Sequence, residues 1–392
     1  MGGGAVIKFG GADLSTGGRI RKAAEMVVKS GYREVVVVVS AMGKTTDQLV
    51  EIISNLGASD RDYADIISMG ERTSARIFCS ALRSLGAKAV YFDPAQENWP
   101  IITDSNFRDA EPDVEATRAL VKRHLRPLLG EAIPVVCGFL GRDGYGNITT
   151  LGRGGSDITA LLLANCLEAD EVVLVKDTPG VLSADPNIVP DAKPFDRLDI
   201  HEMFALAQGG ARIVRPEALR YKLLTQRLRI ASFSSESLAS GGTEITGIFN
   251  LNSAEMVKHR SLSAITVVGE ITPENLSELF SMLRGKPVFG VSTGQKSVTV
   301  FAQLKSSKEV VKELHDLQRF KAISHQDGVG VVEITHPAFV ESPGWVAKIT
   351  SALAARNINI IEVTTSKATI NIFVNEEKLE DTFKAAGDVF AT

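Results

Sequence analysis

The first residues with a chemical pattern are Lys8-Phe9-Gly10-Gly11, which close a short apolar run that begins at Ala5. Adjacent glycines let a ligand approach the backbone closely, and their N–H groups can form a nest for phosphate oxygens. The Lys8 ammonium would add positive charge to such a nest. Taken alone, this motif is better explained as a Gly-Gly turn with a lysine at a strand end, so the phosphate hypothesis depends on other segments.

The second segment, Leu151–Asp157, reads Leu-Gly-Arg-Gly-Gly-Ser-Asp and precedes a helix rich in Ala and Leu. It lacks the third glycine of a dinucleotide fingerprint, because Asp157 stands at that position. Ser156 or Asp157 could simply cap the helix. Capping does not explain Arg153, which glycines flank on both sides and which can hold a carboxylate or phosphate through two hydrogen bonds. A binding role for this loop is therefore favoured.

A third loop, Ser40–Thr46, follows a Val-rich run. Its Gly-Lys-Thr looks like the end of a P-loop, but that motif needs glycine where Val38 stands, so a Walker A site is excluded. Ligands bind at the carboxyl ends of the strands in a parallel sheet. Lys8, Ser40 and Arg153 all lie at such ends, and this convergence favours a common site.

Two acidic residues join the candidates. Glu71 lies at the start of a predicted helix, where favourable interaction with the helix dipole explains it about as well as a function does. Asp177 follows the predicted strand Glu171–Lys176 and could hold magnesium or a ribose. The six histidines are scattered without a metal pair, so no metal-ligating residues are assigned. The sequence contains no G-x-S-x-G elbow, which leaves a hydrolase triad without support.

Alternating strands and helices in the first two-thirds of the chain are expected to position these loops. Strands are predicted at Ala5–Phe9, Glu34–Ser40, Ala87–Phe92, Ala132–Phe139 and Glu171–Lys176. Helices are predicted at Gly18–Ser30, Thr46–Leu56, Gly70–Leu85, Val114–Leu128 and Asp157–Leu167. This alternation indicates an α/β fold in which a mainly parallel sheet lies between helix layers.

The last third of the chain shows a smaller pattern that occurs twice. Each round consists of strand, helix, strand, strand and helix, and the second round starts on the order of 70 residues after the first. We expect a catalytic domain over residues 1–246, a linker over 247–261, and small α+β domains over 262–328 and 329–392. Two tandem units of this size favour a ligand-binding or pairing module over a second catalytic domain.

Effector sites are predicted at the seam between the two small units, because an exposed sheet edge invites pairing within one chain or between two. The expected contacts are the strand-to-helix turns, with Ser342 and Gly344 in the second unit and residues 270–272 in the first. Asn357 and Asn359 would complete a site with side-chain amides. For Asn357 alone, capping of a helix end is the favoured interpretation.

The overall composition excludes several classes of protein. The chain has 392 residues, with 44% hydrophobic and 23% charged residues and a net charge of −4. An acidic balance without a polybasic run argues against a nucleic-acid partner and against binding to an anionic membrane. The longest apolar run, Val35–Met42, is too short to span a membrane, and the N-terminus lacks a secretory pattern. Cys79, Cys137 and Cys166 lie far apart, which favours reduced thiols in a cytoplasmic protein.

Together these segments resemble the aspartate kinases of the amino-acid kinase family. The resemblance covers nearly the whole chain, and the repeated tail is similar to the two ferredoxin-like ACT domains of those enzymes. It is carried by Lys8–Gly11, Val39–Met42, Ser68–Glu71, Ile102–Ser105, Thr149–Asp157, Ala184–Pro190, Gly210–Val214 and, in the tail, Gly344–Ile361. It implies an amino-acid-kinase fold followed by the ACT pair.

The resemblance also implies an activity, which is ATP-dependent phosphorylation of the L-aspartate side-chain carboxylate to 4-phospho-L-aspartate. That reaction is the first step toward lysine, threonine and methionine. The implied cofactors are ATP and Mg²⁺, and the implied partners are L-aspartate, a lysine or threonine effector, and a second copy of the chain joined through the ACT domains. No nucleic-acid or membrane partner is expected, and the expected location is the cytoplasm.

The roles of individual residues follow from the same resemblance. The catalytic pair would be Lys8 and Asp157. The residues assigned to ATP are Lys8, Gly10, Gly11, Lys176, Asp177 and Arg212. The residues assigned to the substrate are Ser40, Thr45, Glu71, Arg153 and Ser156. Arg153 would bind the α-carboxylate of the substrate. Glu71 and Asp157 would bind its ammonium group. The effector would contact Ser342, Gly344, Asn357 and Asn359.

The sequence departs from the family pattern at several positions. Ala12 and Asp13 stand where the family usually has Thr-Ser, Asn187 replaces a phosphate-binding Arg, and Leu182 replaces a Tyr. Lys176 replaces a Thr, while Arg212 and Arg215 replace Lys and His. Two alternatives therefore stay open. One is a kinase for another small carboxylate, such as glutamate or N-acetylglutamate, and the other is a catalytically weak paralogue that binds nucleotide and amino acid as a sensor.

Overall fold

The computed structural model describes residues 3–211, 213–235, 237–248, 254–336 and 338–390. It divides into two compact units, Met1–Phe249 and Asn250–Thr392. In the described residues, no helix is both long and apolar enough to cross a membrane. All three cysteines are free and buried, as the sequence predicts.

The first unit is built from ten strands and seven helices among its described residues. Its strands are β1 Gly4–Phe9, β2 Glu34–Val39, β3 Ala89–Phe92, β4 Ile133–Cys137, β5 Leu140–Arg142, β6 Ile148–Thr150, β7 Glu171–Lys176, β8 Arg197–Asp199, β9 Arg227–Ser232 and β10 Thr243–Thr246. Its helices are α1 Gly17–Val28, α2 Thr45–Ser54, α3 Asp60–Ser84, α4 Val114–His124, α5 Gly155–Leu167, α6 Ile200–Gln208 and α7 Pro216–Leu219. Short 3₁₀ helices occupy Ala12–Leu14 and Arg126–Leu128.

Eight of these strands form one sheet in the order β3-β4-β2-β1-β7-β9-β10-β8. All neighbours pair in parallel except β9 and β10, which confirms the mainly parallel sheet. The central strands are apolar on both faces because helices cover both, and the five valines of β2 are all buried. The polar loops at the carboxyl ends of β1, β2, β4 and β7 consequently meet at one edge of the sheet.

Helix α5 lies directly behind this edge. Every residue of α5 except Asn165 is buried, since it packs on β1, β2 and β7 and is covered by α4 and α7. A helix that is apolar all round is stable only in such a position. Its N-terminus is therefore fixed against the strand-end loops.

The second unit contains six strands and five helices among its described residues. The strands are β11 Glu255–Val268, β12 Val288–Thr293, β13 Ser297–Ala302, β14 Ala322–Thr335, β15 Ile360–Ser366 and β16 Thr369–Asn375. The helices are α8 Pro273–Met282, α9 Ser307–Asp316, α10 Ala338–Glu341, α11 Trp345–Ala354 and α12 Leu379–Asp388, with a 3₁₀ turn at Glu376–Lys378. The two predicted βαββα rounds are both present.

The six strands form one antiparallel sheet in the order β12-β13-β11-β14-β16-β15. The long strands β11 and β14 pair at both ends, with two register shifts between His259 and Ala264, and join the two rounds within this chain. One hydrophobic core lies between the sheet and α8 and α9, and a second between the sheet and α11 and α12. A third cluster includes Phe301 stacked on Phe373, with ring centroids 3.9 Å apart, and joins the two halves.

The predicted linker, residues 247–261, is wrong in its second half. Strand β11 begins at Glu255, which pairs with Thr335 at the end of β14. Strand β14 likewise begins at Ala322, inside the predicted first small domain. The physical reason is that each long strand serves both rounds, so the sequence repeats and the structural boundaries do not coincide.

Candidate active site

Lys8, Asp157 and Lys176 form a buried ionic cluster at the carboxyl ends of β1 and β7. Lys8 Nζ lies 2.7 Å from Asp157 Oδ1, and only 7% of each side chain is exposed. Lys176 Nζ lies 3.4 Å from Asp157 Oδ2. Burial alone would raise the pKa of Asp157, but Lys176 and Lys8 outweigh it and hold that pKa below its usual value. Two cations around one anion leave a surplus positive charge, as a phosphate site requires.

The loop after β1 is arranged differently from the prediction. Gly10 was expected to donate its N–H to phosphate, but this N–H donates to Asp13 Oδ2 at 3.0 Å. The Gly11 carbonyl accepts the Gly43 N–H at 2.9 Å and so fixes the loop against residues 41–43. A Cβ at Gly11 would lie 2.8 Å from the Ala41 carbonyl oxygen, so only glycine fits this approach.

Three predicted substrate residues meet beside this loop. Ser40 Oγ donates to Ser156 Oγ at 3.0 Å, which joins the end of β2 to the first turn of α5. Thr45 begins α2, and its hydroxyl donates to the Met42 carbonyl at 2.7 Å. The oxygen lone pairs of Thr45 therefore remain to accept a hydrogen bond from a ligand.

Glu71 lies in α3 and reaches the same loop. Its Oε1 accepts the Ala41 N–H at 3.1 Å, while its Oε2 has no hydrogen-bond partner within the described parts of the chain. Burial raises the pKa of Glu71 to about 7, and backbone N–H groups oppose this only in part. A buried carboxylate with one free oxygen suits a positively charged ligand group, which would restore its ionised form.

Arg153 is the exposed cation of the site. It lies between Gly152 and Gly154, whose φ angles of +65° and +75° are disfavoured for any other residue. A Cβ at Gly152 would overlap the Asp109 carboxylate, and one at Gly154 would overlap the side chain of Arg215. The guanidinium has no ion-pair partner among residues that the structure describes, so it is available to a ligand.

The remaining predicted ATP contacts are less complete. Asp177 is exposed directly after β7, in the position expected of it. Arg212 lies outside the described residues. Asn187 donates both its backbone N–H and its side-chain amide to Asp185 Oδ1, at 2.9 and 3.0 Å. Its side chain is thus held within its own turn.

Asp93 supports the site and was missed by the sequence analysis. It is fully buried at the end of β3, where both oxygens accept from Arg72 Nε at 3.0 Å and Oδ2 lies 2.6 Å from Arg76 Nη2. Burial would raise the pKa of Asp93, but a backbone N–H and the two guanidiniums hold it below its usual value. Because Arg72 follows Glu71, this contact fixes that stretch of α3. An acidic residue directly after a predicted strand was the available signal.

The four predicted effector residues lie at opposite ends of α11. Ser342 and Gly344 precede the helix, and Asn357 and Asn359 follow it. A helix of this length spans roughly 15 Å, so the unit does not gather the four into one pocket. Asn357 adopts the left-handed conformation with φ +54°, and its N–H donates to the Ala354 carbonyl at 3.0 Å. This is the helix-capping role.

Comparison with known proteins identifies the family of this chain. The model of the Amino acid kinase family matches residues 4–232, and an ACT domain model matches residues 324–385. The Aspartokinase of Corynebacterium glutamicum is 31% identical over 408 residues, which cover 98% of this chain and 95% of that protein. The chain belongs to the aspartokinase family. The Aspartokinase of Bacillus sp. is 30% identical, with coverage of 98% and 96%.

Solved structures of aspartate kinases share the fold of this chain. Aspartate kinase from Synechocystis superposes with a TM-score of 0.76 at 25% identity, over 99% of this chain and 69% of that chain. E. coli aspartokinase III superposes with a TM-score of 0.58 at 23% identity, over 99% and 100%. The predicted amino-acid-kinase fold with C-terminal ACT domains is confirmed.

Proposed function

We propose that this protein transfers the terminal phosphoryl group of MgATP to the side-chain carboxylate of L-aspartate, which forms 4-phospho-L-aspartate and ADP. The observation that carries the proposal is the position of the α5 N-terminus. It joins the buried cluster of Lys8, Asp157 and Lys176 to the exposed Arg153. One side offers positive charge for phosphates and the other for a carboxylate. E. coli aspartokinase III, which has a similar fold, was solved in complex with aspartate and ADP.

The reaction needs no general base. The aspartate side chain has a pKa of about 3.9 in solution, so it is ionised at neutral pH and can attack the phosphorus directly. Catalysis then depends on positioning and on neutralising charge around the transferred group. Lys8 supplies that charge, and the ion pair with Asp157 fixes its ammonium at the end of β1.

The substrate is oriented by three kinds of contact. Arg153 holds the α-carboxylate through two charge-assisted hydrogen bonds. Glu71 receives the α-ammonium on its free Oε2, while Asp157 stays with the lysines. The hydroxyls of Ser40, Thr45 and Ser156 complete the site, with Ser40 and Ser156 already hydrogen-bonded to each other.

ATP is placed on the other side of α5, with Lys8, Lys176 and Asp177 closest to its phosphates and with Gly10, Gly11 and Arg212 completing the contacts. The part of the chain that the structure describes has no group of three or more His, Cys, Asp or Glu side chains that could hold a metal. Mg²⁺ is assigned to the MgATP substrate, whose phosphates would lie next to Asp177.

A panel assay tests the proposal. The wild-type protein is incubated with MgATP and L-aspartate, L-glutamate or N-acetyl-L-glutamate, and the acyl phosphate is trapped with hydroxylamine while ADP release is followed separately. Hydroxamate formation with aspartate alone is the expected result. Turnover with another carboxylate would overturn the substrate, and nucleotide binding without any turnover would favour the sensor paralogue.

We further propose that the tail binds lysine or threonine and lowers kinase activity, as a feedback signal in the synthesis of lysine, threonine and methionine. Support comes from the ACT match and from E. coli aspartokinase III, which was solved with lysine and aspartate. The full-length protein is titrated with each amino acid while activity and melting temperature are recorded. If neither quantity changes with either amino acid, the regulatory proposal is wrong.

A dimer through the ACT domains is the last part of the proposal. Strands β12 and β15 lie at the two edges of the six-stranded sheet, and Val288 and Val291 of β12 are exposed. Exposed apolar side chains on an edge strand favour association. Light scattering on the full-length protein should give twice the mass of 42.1 kDa. A monomeric mass at assay concentrations would contradict it.

A further inference from the structure

Asp13 places a carboxylate inside the loop where the proposed function puts phosphate. Only 2% of this residue is exposed. Its Oδ2 accepts the Gly10 N–H at 3.0 Å. Its Oδ1 accepts no hydrogen bond within the described segments, and Arg19 Nη2 lies 3.5 Å away.

Lys8 faces the same spot. A Cβ built on Gly10 would lie 3.4 Å from Asp13 Oδ2 and 3.8 Å from Lys8 Nζ, so both groups lie over the same face of Gly10. A backbone N–H after a buried strand, a lysine and an arginine are the groups that bind a phosphate oxygen. Here they surround a carboxylate that belongs to the chain itself.

We propose that Asp13 is an internal anion that competes with the nucleotide phosphates for the Gly10 N–H and Lys8, and so sets a low affinity for ATP. This inference rests on the proposed function, because it assumes that ATP phosphates bind at this loop. The competition acts on phosphate charge and not on the adenosine part, so it grows with the number of phosphates in the ligand.

The local charges support this competition. Asp13 adds a second negative charge beside the cluster of Lys8, Asp157 and Lys176, so an arriving phosphate meets less surplus positive charge than that cluster alone would offer. Burial raises the pKa of Asp13, and Asp177 adds to this, while Gly10, Lys8 and Arg19 oppose it.

The test is calorimetric binding of adenosine, AMP, ADP and ATP, with Mg²⁺, to the wild type and to Asp13→Asn. Asparagine keeps one oxygen for the Gly10 N–H and replaces the other carboxylate oxygen with a neutral NH2 group. The variant should bind ATP about tenfold to a hundredfold more tightly, ADP by a smaller factor, and adenosine with unchanged affinity. Asp113→Asn is the matched control, because Asp113 also accepts one backbone N–H, from Ala116 at the start of α4, and its replacement should leave every affinity unchanged.

Each other outcome has a separate meaning. An equal gain for all four ligands would show a change in loop shape and would overturn the competition. Weaker ATP binding in the variant would show that Asp13 builds the site, which also overturns it. ATP binding by Asp13→Asn but not by the wild type would support complete blockage, whereas no binding by either protein would refute the proposed function along with this inference. Asp13→Ser replaces the first variant if that protein shows no cooperative melting transition.

Discussion

The two sides of the candidate active site treat charge in opposite ways. On the Lys8 side the central groups Lys8, Asp157 and Asp13 are buried and already paired, with Lys8 and Lys176 on Asp157 and with the half-exposed Arg19 near Asp13. On the other side Arg153 is exposed and has no ion-pair partner among the described residues. The two sides therefore differ in what a ligand must offset on binding: existing ion pairs on the Lys8 side and side-chain freedom on the Arg153 side.

A buried, paired cluster is rigid and costs little reorganisation, but a ligand there must replace contacts that the protein already makes. An exposed arginine is free to bind, yet it loses side-chain conformational entropy when a ligand fixes it. We therefore expect the Lys8 side to contribute mainly to the transition state and the Arg153 side mainly to substrate affinity. Four substitutions test this division.

Lys8→Ala should have the largest effect. It removes the charge that stabilises the transferred phosphoryl group, so kcat should fall at least about 1000-fold. Aspartate affinity, measured by calorimetry, should stay close to that of the wild type. Lys29→Ala, at the exposed end of α1, controls for loss of a lysine. Loss of aspartate affinity with kcat preserved would reverse the roles of the two sides.

Arg153→Ala should come next, because it removes a charge-assisted contact with the α-carboxylate. The expected loss is about 2–4 kcal/mol, or roughly 30- to 1000-fold in kcat/KM for aspartate, with KM for ATP little changed. Arg153→Lys should recover only part of this, since it cannot make the paired contact. Arg123→Ala on the exposed face of α4 is the control. Normal aspartate kinetics in Arg153→Ala would remove this residue from the substrate site.

Glu71→Gln should have a smaller, pH-dependent effect. The pKa of Glu71 is about 7 in the folded protein, so the wild type loses its ionised partner for the substrate ammonium below that pH. KM for aspartate should fall by about tenfold between pH 6 and pH 8 in the wild type, and this slope should vanish in the variant. A wild-type KM that is flat over this range would contradict the contact.

The same residue links stability to pH. Its folded-state pKa lies above the unfolded value, so the folded state binds the proton more tightly. The resulting stabilisation is complete below the unfolded pKa and is lost as pH rises through about 7. It amounts to on the order of 3 kcal/mol, which urea unfolding at several pH values can measure. In Glu71→Gln this part of the pH dependence should disappear.

Ser40→Ala should show the smallest effect, because it breaks one neutral hydrogen bond, to Ser156. We expect a loss of about 0.5–1.5 kcal/mol in kcat/KM, or a few-fold. Ser54→Ala is the matched control, since this exposed serine at the end of α2 donates only to a nearby carbonyl. A loss above a hundredfold would show that Ser40 contacts the reacting groups directly.

Features set by local spacing could be predicted from the sequence. The strand-end loops, the glycines beside Arg153 and the lysine at the end of β1 all follow from short patterns, whereas the burial of that lysine does not. The contacts of Asp13 and Asp93 could not be predicted from short sequence patterns, because each depends on how the side chain folds back onto a neighbouring element. The start of α3 at Asp60 instead of Gly70 had a visible signal, since the Ser59 side chain accepts the Asp62 N–H as an N-cap.

The tail shows a second reason for failure. Periodicity identified both βαββα rounds, but it could not show that β11 and β14 extend beyond their own round, because pairing register is a property of two distant segments. The separation of the predicted effector residues within this unit has a related reason. Ser342 and Asn359 are close in sequence, yet a rigid helix keeps them apart.

The shared strands β11 and β14 have a consequence for how the tail unfolds. Each strand carries backbone hydrogen bonds in both halves, so neither half can melt without breaking bonds of the other. Amide hydrogens in the two halves should therefore exchange with solvent in a single concerted event instead of as two independent domains. A chain cut between the repeats would leave both pieces without their central strand partner, and neither fragment would fold alone.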